Sequence, residues 1–290
     1  MTAPRIGFMF DCGRPPEELP AFAAAVEETG ADDLWVVEDL GYNGGITAAA
    51  VALAATTRLR VGIGIAPVAL RNPALLAMEL ATLARVHPGR LVAGVGHGVT
   101  EWMRQVGAET PHKLAMLEET TVAVRALLAG GKVTQKGRTV TLDGVALHHP
   151  PAEPPPIVTG VVRPRSLELS GRVADGTILA EGAGPAEITA ALTHIDRGRA
   201  AGDRPAHELI VFTFLQVTPP TEVTREKIAA QAAWLGVPPE ELFSLIGPAA
   251  EIPAKVAALH DAGAATVIFR PAGSDPAREA REAMATLRAG

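Results

Sequence analysis

His97 stands between Gly96 and Gly98, directly after the apolar run from Leu91 to Val95, in the stretch "RLVAGVGHGVTEW" that begins at Arg90 and ends at Trp102. An imidazole titrates near neutral pH, so at the end of a buried strand it can give a hydrogen bond or a proton to a bound molecule. A core histidine with satisfied ring nitrogens is the structural alternative. The flanking glycines leave space for a flat or phosphorylated ligand to approach the backbone, because no Cβ stands in the way. A second candidate group lies in "DLWVVED", which closes on Glu38 and Asp39. Adjacent residues of an extended segment point to opposite sides, so one carboxylate at most faces a site. Asp39 is the expected one, with a helix cap plus a solvated carboxylate as the alternative. In "VTGVVRPRSLELSG", residues Thr159, Gly160, Val161, Val162 and Arg163 precede a helix. A glycine turn feeding a helix N-terminus presents free N–H groups to a phosphate, and Arg163 adds a charge. Equally, Gly160 closes a tight turn while Arg163 is solvated. Glu181 and Trp102 are expected in the substrate pocket, Trp102 alternatively as a core anchor. "GVGHG" lacks the third glycine and the acid about 20 residues on that a dinucleotide fingerprint needs. His148 and His149 point to opposite sides of an extended segment and have no HExxH partner, so no metal site is expected.

These groups need elements to hold them. Short apolar runs alternate with longer amphipathic stretches from end to end, the pattern of a parallel sheet covered by helices. Strands are expected near Arg5 to Asp11, Asp33 to Glu38, Arg60 to Ala66, Arg90 to Gly96, Pro156 to Val162, Gly176 to Glu181, Glu208 to Val217 and Ala265 to Arg270. Eight β-then-α units in 290 residues fit a (β/α)8 TIM barrel, read as one domain over residues 1–290. Two stretches break the alternation. "GKVTQKGRTVTLDGVALHHPPAEPPP" carries turn signals at Lys136-Gly137 and Asp143-Gly144, which predict a short β insertion after helix four. "WLGVPPEELFSLIG" predicts extra helix after strand seven. In such a barrel the reactive face lies at the carboxyl ends of the strands, where the candidate residues fall.

Composition narrows the function. The 32 acids and 26 bases are scattered, with no basic block able to neutralise a row of phosphates, so nucleic acid is not expected as a partner. No apolar run approaches the ~20 residues of a bilayer span. The single cysteine, Cys12, cannot form an internal disulfide, and "MTAPRIGFMF" lacks the features of a secretory signal, so a cytoplasmic location is expected.

Three blocks in this order, "ADDLWVVED", "VGIGIAPVALRNPALLAMELATLARVHPGRLVAGVGHG" and "RPRSLELSGRVADGTILAE", resemble the bacterial luciferase-like oxidoreductases. Within them the chain is similar to the deazaflavin-dependent branch, which includes methylene-tetrahydromethanopterin reductases and sugar-phosphate dehydrogenases. The resemblance implies a TIM barrel that binds coenzyme F420, or alternatively FMN, at the carboxyl ends of its strands. It also implies a non-prolyl cis peptide in a bulge behind the cofactor ring, placed here at Ile63–Gly64. By the same resemblance Asp39 lies over the redox ring, Ala66 meets the pyrimidine edge and Gly96 and His97 meet the ring system. The phosphate turn falls on Thr159 to Val162, with Arg163 compensating for a missing second small residue. His97 and Asp39 are then the candidate catalytic pair. Val99 stands where the sugar-phosphate dehydrogenases carry a glutamate, which argues against their substrate and their general acid. The expected activity is hydride transfer between reduced F420 and a small unsaturated or carbonyl-type substrate, by a homodimer. An FMN-dependent monooxygenase and a non-catalytic, flavin- or ligand-binding barrel are the alternatives.

Overall fold

Runs that are apolar on both faces cannot rest with one side in water, so in this chain they close on themselves inside a ring of helices. A computed structural model describes residues 3–202 and 206–289. Its elements are β1 (Arg5–Met9), α1 (Leu19–Glu28), β2 (Asp33–Val36), α2 (Gly45–Ala54), β3 (Arg60–Ile63), β4 (Ala66–Pro67), α3 (Pro73–Val86), β5 (Leu91–Gly96), α4 (Thr100–Gln105), α5 (Lys113–Leu128), β6 (Val133–Lys136) and β7 (Thr141–Val145). They continue with β8 (Ile157–Gly160), α6 (Pro164–Val173), β9 (Gly176–Leu179), α7 (Pro185–Gly202), β10 (Glu208–Gln216), α8 (Glu222–Leu235), β11 (Leu245–Ile246), α9 (Ile252–Asp261), β12 (Thr266–Pro271) and α10 (Pro276–Ala289). The parallel order β10-β12-β1-β2-β3-β5-β8-β9 is closed by pairing of β9 with β10, which makes the expected (β/α)8 barrel.

Side-chain alternation divides the core in two. Met9, Trp35, Val92, Val158, Ile178, Ile210, Phe212 and Ile268 fill the barrel interior. Their neighbours in sequence, such as Phe8, Leu34, Val61 and Phe269, pack outward under the helices. Trp35 meets Phe212 edge-on at 5.4 Å, and its ring occupies the space that a Cβ on Gly62 would need.

Several expected strands run past the observed ladder, because at the carboxyl rim the backbone turns away from its neighbours. Asp11, Glu38, Val162 and Glu181 are therefore rim residues rather than strand residues. The insertion after α5 is the antiparallel hairpin β6–β7. Its turn lies at Gly137, where Gly137 N donates to Val140 O. Asp143-Gly144 is not a turn: it lies within β7 at a register shift, with Gly144 at φ 61°, and so forms a bulge. After β10 the barrel needs one helix and has two, α8 and α9. The stretch around "GVPPEELFSLIG" itself is not helical, because the left-handed Gly236 stops α8 and Pro238 and Pro239 permit one 3-10 turn. Leu245–Ile246 then adds a short parallel strand beside β10.

The third crossover carries the feature that shapes the site. Gly62 pairs with Val92 and Ala66 with Val95, so three residues of one strand, Ile63 to Ile65, face two of the other. That is a β-bulge. The non-prolyl cis peptide lies within it at Gly64–Ile65, one bond later than expected. The reason for the offset is visible in the ladder: Gly64 N still donates to Val36 O at 2.8 Å, so Ile63–Gly64 remains a strand peptide. The bulge pushes the Ile63 carbonyl against Gly94, where a Cβ would overlap the oxygen. Ile65 then lies over β5 and β8, with a Cβ on Gly160 falling 2.6 Å from Ile65 Cγ2.

The opposite mouth is closed by charge. Asp33, fully buried, accepts from Arg5 at 2.9 Å and Arg60 at 2.7 Å, and Arg60 also pairs with Glu208 at 2.6 Å. Burial opposes ionisation of Glu208, but hydrogen bonds and charge from Arg60, with help from Thr266, hold its carboxyl below its ordinary 4.5.

Two outcomes follow from this packing. Gly94→Ala should lose roughly 3 kcal/mol or more in urea denaturation, the upper range for overpacking, whereas Gly44→Ala, whose nearest neighbour is Thr47 Oγ1 at 3.8 Å, should stay near wild type. Arg60→Met should cost about 3–5 kcal/mol, because it strands buried acids. Since the folded Glu208 value is depressed, its stabilising contribution is complete above pH 4.5 and is lost as pH falls through the lowered value. Arg60→Met should therefore flatten the acid limb of a thermal denaturation profile, and an unchanged limb would reject that role.

Candidate active site

Above the apolar filling, the strand ends set polar side chains around a cavity of about 690 Å³. Asp11, Cys12 and Arg14 follow β1, Asp39 and Tyr42 follow β2, Trp102 stands on α4, Lys227 on α8 and Arg270 on β12. Two residues singled out in the sequence, Asp39 and Trp102, thus share one wall. Glu38 turns the other way. It accepts a bidentate pair from Arg71 and the N–H of Gly45 at the start of α2, so it fastens the loop and leaves Asp39 to the cavity.

The charges form a connected set. Arg270 pairs with Glu181 at 3.0 Å and with Asp11 at 3.3 Å, its guanidinium 5.4 Å from the Phe214 ring centre. Lys227 reaches down from α8 to Asp11 at 2.8 Å. Burial resists ionisation of Asp11, yet Arg270 and Lys227 outweigh it and hold the carboxyl at about 2. Asp39 differs. It accepts the Cys12 thiol at 3.2 Å, but burial, reinforced by the nearby charges of Glu181 and Asp11, pushes its carboxyl above the ordinary aspartate value. Burial and the Asp39 charge push the Cys12 thiol to about 12, so it stays protonated and serves as a donor. The arrangement places a carboxyl that is harder to ionise than an ordinary aspartate at the cavity wall beside one that ionises readily.

His97 lies elsewhere. It lines a smaller recess with Val68, Met103 and Lys113, and its Nε2 is 3.1 Å from Ser166 Oγ in the first turn of α6. Its Nδ1 is buried, with the Lys113 backbone close by. Burial and the Lys113 charge lower its pKa, which keeps the ring neutral near pH 7. Gly96 and Gly160 admit Ile65 of the bulge, so at these positions the missing Cβ serves the protein's own chain first. Ile63 is buried under the helices, Gly64 borders Trp35 and Phe212, and Ala66 is buried in β4. Thr159 points outward: its hydroxyl donates to Ser170 Oγ at 2.6 Å, in a buried chain that continues through Thr177 to His207 Nε2. Val161 is buried, while Val162 and Arg163 are exposed where α6 begins without a side-chain cap.

Sequence reasoning missed Asp11, Cys12, Arg270 and Lys227. "FDCG" at a strand end and the lone charge in "TVIFRP" were available signals for the first three. Lys227 had none, because its partner Asp11 is 216 residues away.

The profile of the luciferase-like monooxygenase family matches residues 2–288. The chain is 31% identical to an F420-dependent glucose-6-phosphate dehydrogenase of Nakamurella multipartita over 65% of its own length and 60% of that enzyme's. It is 26% identical to a 5,10-methylenetetrahydromethanopterin reductase of Methanolobus tindarius over 78% of this chain and 68% of the reductase. The matched stretch thus spans less than two thirds of the first of these relatives. Among solved structures, an F420-dependent secondary alcohol dehydrogenase in complex with an F420-acetone adduct superposes with a TM-score of 0.88 at 20% identity, covering 99% of both chains. With the profile matched across nearly its whole length, the barrel closed and the bulge in place, this chain belongs to the luciferase-like monooxygenase family.

Proposed function

We propose that this chain is an oxidoreductase that transfers a hydride between coenzyme F420 and a small organic substrate, with Asp39 as the proton donor. The observation that carries this reading is the Asp39 carboxyl: it lines the cavity, receives the Cys12 thiol and has its pKa raised by burial. Relatives named for F420-dependent reactions support the cofactor. The residues present fit it as well. Ile65 forms a shelf at the carboxyl rim. The uncapped start of α6, flanked by the exposed Arg163, suits a phosphate, and His97 meets the first turn of that helix through Nε2 at Ser166. When bound, the deazaflavin supplies the hydride-carrying carbon. Asp39 holds a proton at the cavity wall and delivers it to the substrate oxygen as the carbonyl carbon gains the hydride. Its carboxylate is then reprotonated from solvent. His97 positions the α6 turn through Ser166, a role the geometry favours over proton transfer.

Leu75, Met78 and Val86, exposed on α3, support assembly as a homodimer. No helix among the described residues is long and apolar enough to cross a membrane. The single buried cysteine supports a cytoplasmic location.

Fluorescence titration of the protein with F420 and with FMN should give tighter binding of F420. The opposite order would replace this reading with an FMN-dependent monooxygenase. Asp39→Asn should slow turnover by about 10²–10⁴-fold, the span of lost acid–base catalysis, with F420 affinity near wild type. For carbonyl reduction the acid form is required, so activity should fall as pH rises through the elevated Asp39 pKa, and the variant should lack that limb. Cys12→Ala removes a donor that favours the carboxylate, so the limb should move to higher pH, while Cys12→Ser should hold it close to wild type. A limb untouched by either substitution at position 39 or 12 would remove Asp39 from the chemistry.

A further inference from the structure

The charged side chains around the cavity cancel. Arg14 is held by Glu18 through Nε at 2.7 Å, Lys227 by Asp11 at 2.8 Å, and Arg270 by Glu181 at 3.0 Å and Asp11 at 3.3 Å. Among the described residues lining the cavity, no cation is left over. The remaining acid, Asp39, is the one that burial drives toward its neutral form. The rest of the wall contains Tyr42, Trp102, Val223 and Ala272, together with the uncharged hydroxyl residues Thr221 and Ser274. A phosphate or carboxylate entering this space finds no unengaged positive charge, and recruiting Lys227 or Arg270 would expose the mostly buried Asp11 without its partners. A cationic substrate would find Asp11 and Glu181 already paired with Lys227 and Arg270, and only Asp39 without a cationic partner, its carboxyl made harder to ionise by burial. An uncharged molecule with an apolar body meets neither obstacle, and its carbonyl or hydroxyl oxygen finds a donor in Asp39.

We infer that the cavity takes an uncharged alcohol or ketone with an apolar body, and discriminates against phosphorylated and carboxylated analogues through the closed ion-pair set of Asp11, Lys227, Arg270 and Glu181. The inference rests on the hydride-transfer reading for its chemistry. In the oxidative direction the substrate C–H bond breaks with its electron pair passing as hydride to oxidised F420, the hydroxyl proton goes to ionised Asp39, and the C=O bond forms. In the reductive direction hydride from reduced F420 adds to the carbonyl carbon and the oxygen takes the Asp39 proton. Lys227 acts here as a specificity determinant: it belongs to the added helix α8 and neutralises Asp11 from above.

The test compares cyclohexanone with its ring-carboxylated analogue, and glucose with glucose 6-phosphate, so that charge is the main variable within each pair. Turnover with reduced or oxidised F420 is measured alongside calorimetric binding to the protein with and without F420. The neutral ketone should be favoured over its carboxylate by about tenfold or more, as expected when a buried ion pair must open to admit an anion. Asp11→Asn releases Lys227 and Arg270 and should shrink that preference, whereas Lys227→Met should not raise binding of either anion. Equal or better binding or turnover of the carboxylate or the sugar phosphate by the wild-type protein overturns the inference. So does failure of the protein, loaded and unloaded, to respond to the neutral ketone. Failure of F420 itself to bind overturns the oxidoreductase reading instead, and the unloaded titrations then decide the charge preference on their own.

Discussion

Ile65 can lie across the top of the barrel only because β5 and β8 present hydrogen atoms where other residues carry a methyl group. One extra residue between Gly62 and Ala66 forces the chain inward, the Ile63 carbonyl takes the place of a Cβ on Gly94, and Ile65 takes that of one on Gly160. Everything at the rim inherits this displacement. Trp35 and Phe212 fill the space beneath, β4 resumes pairing with β5 one residue out of step, and the chain leaves as the loop that carries Arg71 back to Glu38. Because Glu38 is thereby occupied, the neighbouring carboxylate of Asp39 is the one that faces the cavity. A packing constraint between two strands thus selects which of two adjacent acids is available for chemistry.

The two mouths of the barrel use charge for different ends. At the amino side, Arg5, Asp33, Arg60 and Glu208 are interlocked in a cluster that seals the interior and tolerates little change, since each carboxylate there is held by guanidinium groups. At the carboxyl side the ion pairs are strung around a cavity rather than packed through it. Asp11 is tied from below by Arg270 and from above by Lys227, which links the barrel wall to the helix added after β10. Asp39 sits among these charges without a cationic hydrogen-bond partner, and that asymmetry separates the two aspartates: one depressed to about 2, the other raised. Neighbouring carboxyl groups whose pKa values are pushed apart are the usual provision for acid–base roles.

The alternation of apolar runs and amphipathic stretches, the β/α count and the breaks after α5 and β10 were legible in the chain because burial on both faces demands those patterns locally. The residue types at the strand ends were legible for the same reason: Asp39 follows β2 and Trp102, on α4, shares the cavity wall with it, whereas Glu181, expected in the pocket, is buried against Arg270 and is not among the residues that line the cavity. Where each side chain points was not legible. Thr159 reads as part of a phosphate turn, yet β-strand alternation turns its hydroxyl outward to Ser170. The glycines around His97 read as space for a ligand, yet those at 94, 96 and 160 receive the bulge, whose inward shift depends on a register slip between strands far apart in sequence. The cis peptide was placed one bond early because pattern matching locates a bulge, while only the Gly64 to Val36 hydrogen bond shows where the ladder ends. Local patterning determined the barrel and the identity of its rim, since both follow from which residues avoid water. The pairing of Lys227 with Asp11, the closure of β9 on β10 and the charge balance of the cavity were decided by the tertiary structure alone, because each joins groups whose separation along the chain carries no periodic trace.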